Sequence, residues 1–541
     1  MKETALKALE GAIKRLGIEP PQIEIEQPKE EAHGDLSSPI SMVLAKSLRR
    51  KPSEIARAIV ESIPIGEDFE KIEVAGPGFI NFTFSKSFIS KSLSMLLKDR
   101  ERALRKDIGR GRKVQIEFVS ANPTGPLHLG HGRGAAVGEA LANLLNAAGW
   151  RVIREYYIND AGRQVRLLGE SVYARYKELL GVSAKFPEEG YMGQYVIDIA
   201  KSMIDEVGQR YKDSDFQEVE GFFIDFSLRA MLNEIRADLQ AFGIEFDSWQ
   251  SEKDLYISGA VRDAIEYLKA KGYAYEHEGA VWFKATLFGD DKDRVIIKKD
   301  GEHTYFASDI AYHKKKIDTG YDEIIDIWGA DHHGYIPRIT AVIDALGYEK
   351  NKLKVLLVQM VSLLRGGKAV QMSKRAGEFV TLREVIEEVG ADTTKFIFLT
   401  RRPESHLEFD IESAKMQSSE NPVYYVQYAN ARINSIFSNV EGLKIEEADF
   451  TLLVEAEEKR LAKKILSYPM VFESSAIAHE PHRITFYLQE LASLFHRFYT
   501  EHKVLVEDTE LRRARLALCE AVRIVLRDGL KILGVSIPER M

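Results

Sequence analysis

Two histidines three residues apart, His128 and His131, enclose Leu129-Gly130 and follow the segment Ser120-Ala121-Asn122-Pro123-Thr124-Gly125-Pro126. A strand-like run at 114–119 leads into them, and a long apolar helical run at 134–148 leaves them and stops at Gly149. A strand, a glycine-containing turn and a helix N-terminus turn backbone N–H groups toward an anion, and imidazoles placed there donate hydrogen bonds to phosphate oxygens. Gly130 lets a ligand approach the turn closely. Far downstream, Gly366-Gly367-Lys368 precedes Gln371-Met372-Ser373-Lys374-Arg375-Ala376-Gly377. The glycines would let this loop close, and Lys374 is a flexible point charge able to follow phosphates. On its own the histidine pair has two other readings, part of a metal site or surface imidazoles satisfied by their neighbours. Zinc would require further ligands, and a chain with one cysteine cannot build a cysteine-rich zinc site.

The combination is more specific than its parts. His128-Leu129-Gly130-His131 resembles the first signature of class I aminoacyl-tRNA synthetases, and Met372-Ser373-Lys374 resembles the core of their second. Three further stretches resemble the arginyl-tRNA synthetases: Glu117 to Pro126, Glu155-Tyr156-Tyr157-Ile158-Asn159-Asp160-Ala161-Gly162, and the terminal Gly534-Val535-Ser536-Ile537-Pro538-Glu539-Arg540-Met541. The resemblance runs from Gln27 to the last residue. It departs from the family at Gln371, where the second signature begins with lysine, and at Arg375, where a second serine stands. Lys374 occupies the more consequential lysine position, and Lys368 or Arg375 would have to offset the other.

The resemblance implies an arginine–tRNA ligase that activates L-arginine with ATP and transfers it to the terminal adenosine of its tRNA, with activation dependent on bound tRNA. His128, His131 and Lys374 are the expected catalytic residues. The ATP site is expected to comprise His128, Gly130, His131, Gly329, Asp331, Met372, Ser373 and Lys374. The arginine contacts carried over are Glu117, Asn122, Tyr305, Asp309, Asp331 and His332, with Asp309 the guanidinium partner; the bland alternatives are a strand-end salt bridge for Glu117 and a helix cap for Asp309. Mg²⁺ is expected to arrive with ATP and no zinc is expected. Two rivals differ in reaction: another nucleotidylyl transferase of the superfamily, and a non-catalytic tRNA-binding paralogue. The long helical C-terminal region counts against the first, and intact His128, Gly130, His131 and Lys374 count against the second.

The elements that must position these residues follow from periodicity. Residues 1–105 read as a small α+β unit, with His33-Gly34-Asp35 and Pro39 resembling an element of the family's N-terminal, tRNA-elbow domain or else forming a turn and helix cap. Residues 106–410 alternate strand and helix patterns, predicting a doubly wound, Rossmann-like parallel sheet with strand candidates at 114–119, 152–157, 280–283, 323–328 and 354–357. A mostly helical stretch near 162–250 is too long for a simple crossover and reads as an insertion. Residues 411–541 read as all-α and resemble the family's anticodon-binding domain. There Tyr425, Tyr428 and Arg432 share a helical face, which suits unstacked bases and equally a core stripe; the resemblance adds Phe495, Tyr499 and Met541 as tRNA contacts.

Composition sets outer bounds. At 541 residues the chain exceeds the roughly 250–300 residues of a single core, so several domains are expected. A net charge of −8 does not reveal where the cations lie, and so neither supports nor excludes a nucleic-acid partner. No apolar run approaches the about 18 residues of a membrane span, the N-terminus has no signal-peptide core, and the lone Cys519 suits a reducing compartment. A cytoplasmic monomer is the expectation.

Overall fold

The computed structural model describes residues 1–28, 30–64, 66–370, 380–418, 420–440 and 444–541. Residues Met372, Ser373 and Lys374 of the second motif lie outside them.

The N-terminal elements are β1 (Leu36–Ser38), β2 (Phe69–Ala75) and β3 (Phe79–Phe84), an antiparallel sheet of order β1-β3-β2. The helices Lys2–Arg15, Ile40–Leu48 and Pro52–Glu61 pack on it through Leu9, Ile13, Ile55 and Phe82. Asp35 does not cap a helix. Its Oδ2 accepts the Phe84 N–H (2.8 Å), and its other oxygen pairs with Lys463 (2.6 Å) on a C-terminal helix.

The centre of the molecule is a five-stranded sheet of β4 (Lys113–Glu117), β5 (Arg151–Ile158), β6 (Ser248–Ser251), β10 (Glu323–Gly329) and β11 (Leu353–Val358), all parallel and ordered β11-β10-β4-β5-β6. The chain runs outward from β4 in one direction, then returns to start β10 on the other side. The crevice above the C-terminal ends of β4 and β10 is therefore the topological switch point, where such sheets bind ligands. The strand expected at 280–283 forms, but elsewhere: β7 (Ala274–His277), β8 (Ala280–Phe283) and β9 (Arg294–Ile297) make a separate antiparallel sheet. A short β-rich run does not disclose which sheet it joins. A last small sheet consists of β12 (Val361–Arg365), β13 (Lys368–Ala369) and β14 (Leu407–Asp410).

Between β5 and β6 the helices Arg163–Leu179, Gln194–Val207 and Phe216–Ala241 pack around their own core of Leu168, Tyr176, Met203 and Phe223. The C-terminal helices Pro422–Phe437, Ala456–Ala478, His482–Glu501 and Thr509–Ile532 form a bundle. Its last helix is buried on nearly all sides from Ala514 to Leu530. Cys519 lies inside it, and burial pushes its thiol up to about 12.

Candidate active site

The turn leaving β4 has an unusual backbone. The Ser120 N–H donates to Phe118 O (3.0 Å) around Val119, whose φ is 67°, and Ser120 itself has φ 38°. Non-glycine residues adopt the left-handed region at a cost and stay there only when their surroundings hold them. Here Ser120 Oγ donates to Glu117 Oε1 (2.9 Å) and accepts the Tyr157 N–H (3.1 Å). The phenols of Tyr156 and Tyr195 donate to the carbonyls of Ala121 (2.9 Å) and Thr124 (2.8 Å). Residues 119–124 are thus clamped from β5 and from the helical insertion before the chain reaches the histidines.

The following helix spans Leu129–Ala147 and starts earlier than the apolar pattern indicated, because His128 is its N-cap. His128 Nδ1 accepts the Gly130 N–H (3.1 Å), and His131 Nδ1 accepts the His128 N–H (3.3 Å). The two rings stack with centroids 3.7 Å apart. With both Nδ1 atoms accepting, the neutral rings carry their protons on Nε2, as phosphate donors require. A Cβ on Gly130 would come within 3.0 Å of the His128 ring, so the glycine first protects the cap and with it the ring's orientation. Leu382 N–H donates to Leu127 O (2.7 Å), and Thr381 bridges His128. The chain that follows the lysine segment therefore returns directly against the histidines.

These elements border one cavity of about 740 Å³ at the switch point. His128, Gly130, His131, Gly329 and Asp331 line it, as do Glu117, Asn122, Tyr305, Asp309 and His332, so all the expected ATP and arginine residues that are described come together. Their environments differ. In the sheet register Asp326, Glu117 and Glu155 stand side by side on three adjacent strands. The helix Tyr305–Asp318 neutralises this acidic rung: Lys316 Nζ donates to Glu117 Oε2 (2.6 Å) and Asp326 Oδ1 (2.7 Å), and the Tyr312 phenol donates to Glu155 (2.6 Å). Although burial works against it, Lys316 and His313 hold the Asp326 carboxyl well below the usual range. Both oxygens of Glu117 are engaged in this network, the salt-bridged arrangement that was the alternative for it.

Asp309 lies inside its helix, whose N-cap position is Thr304, so it is not a cap itself. It accepts a hydrogen bond from the Tyr335 phenol, and burial raises its carboxyl. Two residues not expected at the site join it: Glu252, outside every motif, and Tyr157, inside the Glu155–Gly162 stretch but given no role there. Glu252, just beyond β6, receives the Ser308 hydroxyl (2.7 Å) on Oε1 while, among the described residues, its buried Oε2 has no hydrogen-bond partner, and burial lifts its carboxyl to about 7. The buried hydroxyl of Tyr157, near the end of β5, likewise has no partner within hydrogen-bond geometry among the described residues. One end of the cavity is therefore acidic and under-donated, suited to a cation with many N–H groups. The other end, Val358 at the tip of β11 with Gln359 and Met360 just beyond it, carries no charge. The sequence signal for Glu252 is slight, since only strand register brings it to the cavity, whereas Tyr157 belongs to the Glu155–Gly162 stretch without that stretch saying which side chain faces inward.

A second cavity, of about 1110 Å³, opens in the helical bundle and is lined by Tyr428, Arg432, Tyr499 and Met541. The Arg432 guanidinium lies over the rings of Tyr428 (4.6 Å) and Tyr499 (4.7 Å). Tyr425 packs on the His496 ring at 4.5 Å instead, and Phe495 is fully buried in the core, with no surface to offer a base. Among the described residues, a group with metal-ligand spacing is Glu457, Glu501 and His502, in the helical region rather than at the sheet; His332 and His333 are not part of it. No described helix is long and apolar enough to cross a membrane.

Comparison with known proteins matches three family models: "Arginyl tRNA synthetase N terminal domain" over residues 3–84, "tRNA synthetases class I (R), catalytic domain" over 92–402, and "DALR anticodon binding domain" over 426–541. The chain is 49% identical over 550 residues to the arginine–tRNA ligase of Geobacter sp. (strain M21), covering 100% of this chain and 99% of the relative. It is 46% identical over 550 residues to that of Bacillus velezensis, at the same coverage. The solved arginyl-tRNA synthetase of Thermus thermophilus superposes with a TM-score of 0.81 over 100% of both chains at 23% identity, a likeness of fold.

Proposed function

The chain belongs to the arginyl-tRNA synthetase family, and from that premise we propose how its residues divide the work of an ATP-dependent arginine–tRNA ligase. Arginine enters with its guanidinium toward Asp309, Glu252 and the Tyr157 hydroxyl, the acidic end of the cavity. Repulsion from these carboxylates sends the triphosphate to the histidines and the uncharged base to Val358, Gln359 and Met360. His128 and His131 donate from Nε2 to phosphate oxygens at the helix N-terminus, where the backbone favours negative charge. Tyr305, Asn122, Asp331 and His332 line the rim between the two substrates and orient the amino-acid backbone and the ribose.

A carboxylate oxygen of arginine attacks the α-phosphorus; that O–P bond forms as the bond to the β-phosphate oxygen breaks, and pyrophosphate leaves. A hydroxyl of the terminal adenosine of tRNA(Arg) then attacks the carbonyl carbon; the ester C–O bond forms as the bond to the adenylate phosphate oxygen breaks, the hydroxyl proton passes to that phosphate, and AMP departs. No protein nucleophile is needed; the enzyme orients the reactants and stabilises charge as it develops. Mg²⁺ travels with the triphosphate, whose oxygens and water supply its ligands, and the imidazole and N–H donors of the site suit phosphate oxygens rather than a metal cage. Lys374 supplies positive charge to the leaving phosphates. Tyr428, Arg432, Tyr499 and Met541 receive the anticodon by stacking and edge contacts, and the enzyme works as a cytoplasmic monomer.

The observation that carries this reading is a single cavity at the switch point with stacked, capped histidines at its phosphate end and, at its arginine end, buried Asp309 and Glu252 held by hydroxyls and, among the described residues, by no cation. It is tested by charging tRNA(Arg) with labelled arginine. Lys374→Ala should lower kcat by about 10²–10³-fold with the arginine KM little changed, the loss expected when one transition-state charge contact is removed. Full activity in that variant would remove Lys374 from the mechanism.

A further inference from the structure

Arg133 lies within the helix that the histidines cap, yet it points away from their chemistry and is completely buried. Its Nη1 donates to Gln359 O (2.9 Å) and Ser405 O (2.8 Å), and its Nη2 donates to Arg402 O (2.9 Å). Among the described residues it forms no ion pair, and burial lowers its guanidinium to about 10. An unpaired buried cation is expensive, and an apolar side chain of similar volume would fill the space more cheaply. What the guanidinium adds is direction: a planar fork fixes three main-chain carbonyls from two separate segments relative to one helix.

Those segments are informative. Gln359 and Met360 connect β11 to β12 and line the uncharged end of the cavity. They are laced to the second segment by Gln359 N–H donating to Pro403 O (2.8 Å), and to each other by Met360 N–H donating to Gln359 Oε1 (3.0 Å). The same helix thus carries the phosphate-binding histidines at its N-cap and, one turn later, the side chain that holds the backbone at the far end of the nucleotide site. We propose that Arg133 is a positioning residue that sets the separation between the phosphate-binding and base-binding ends of the ATP site. It touches neither substrate. It acts through the Gln359–Met360 backbone, so its loss should be felt by ATP and not by arginine. This inference rests on the ATP-dependent ligase reading above.

The test uses the full-length enzyme. Arg133→Lys keeps a cation but loses the planar fork. Its KM for ATP should rise about tenfold and its preference for ATP over GTP in kcat/KM should shrink about tenfold, with the KM for arginine held within about twofold. Arg133→Met fills the same space without the planar fork and without a buried charge, so it should fold and should shift the same two ATP readouts; it decides the matter if Arg133→Lys does not fold. A folded Arg133→Lys or Arg133→Met with unchanged ATP KM and ATP/GTP preference would overturn the proposal. A wild-type enzyme unable to use ATP would overturn the ligase reading instead, which keeps the two failures apart.

Discussion

At the scale of single residues, the site separates charges by burial and partnering. Lys316 neutralises the rung of Glu117 and Asp326, whereas among the described residues Glu252 has only the Ser308 hydroxyl. Desolvation lifts Glu252 to about 7, against the Ser308 hydrogen bond and with the help of Asp309. A guanidinium binds the ionised carboxylate, so protonation competes with arginine. The kcat/KM for arginine should fall about tenfold per pH unit as the pH drops below about 7. In Glu252→Gln the arginine KM should rise about 10–100-fold, the worth of one hydrogen bond to a charged group, and the step near neutrality should vanish. Steady-state kinetics from pH 5.5 to about 8.5 check this; an identical step in the variant would assign it to another group.

Legibility in the sequence also varied residue by residue. The histidines, Gly130 and Asp309 sit in contiguous motifs and were readable. Glu252 was not, because it reaches the cavity only through the parallel register of β5 and β6; Tyr157 sits in the Glu155–Gly162 stretch, but which of its side chains faces the cavity depends on that same register. The aromatic pair Phe495 and Tyr499 shows the same limit. They lie one turn apart on the helix His482–Glu501, but Phe495 is in the core, while Tyr499, nearer the helix end, lines the second cavity. An aromatic at helical spacing does not disclose how deeply its turn is buried.

Among the elements, the helix Leu129–Ala147 does most to assemble the site. Its apolar stripe was visible, but its true start was not, since the first turn is built by imidazole caps rather than by apolar spacing. It also packs unusually close to the sheet. A Cβ on Gly138 would fall 2.3 Å from the Phe118 ring, at the beginning of the strained turn. Gly138→Leu should therefore overpack this contact and destabilise the protein by about 1–3 kcal/mol. That corresponds to a melting temperature lower by several degrees, on the order of 2–4 °C per kcal/mol for domains of this size. Thermal or urea unfolding monitored by circular dichroism checks it; an unchanged melting point would mean that the helix and sheet have slack between them. The strand at 280–283 is the converse case, read correctly as a strand and placed in the wrong sheet.

At the scale of the molecule, the two cavities are physically connected. The C-terminal peptide is held along the helix Pro422–Phe437 by side-chain amides of Gln427, Asn430 and Asn434, which donate to the carbonyls of Ser536 (3.0 Å), Pro538 (2.8 Å) and Glu539 (3.2 Å). Its last residue, Met541, lines the bundle cavity. Its root is fastened to the helix Ala391–Phe398 through Lys395 with Gly534 O, and through Asp392 with the Ser536 N–H (3.1 Å). That helix follows the one whose first residue, Leu382, is bonded beside the histidines. A net charge of −8 does not decide how this cavity meets a nucleic acid, since Arg432 faces it locally. Occupation of the bundle is expected to bias the active site through such two-ended contacts. The most direct measurement is arginine-dependent exchange of pyrophosphate into ATP, with and without tRNA(Arg). Exchange that requires both arginine and tRNA(Arg) is the expected result; no exchange under either condition, with the tRNA still bound, would contradict the ligase assignment itself.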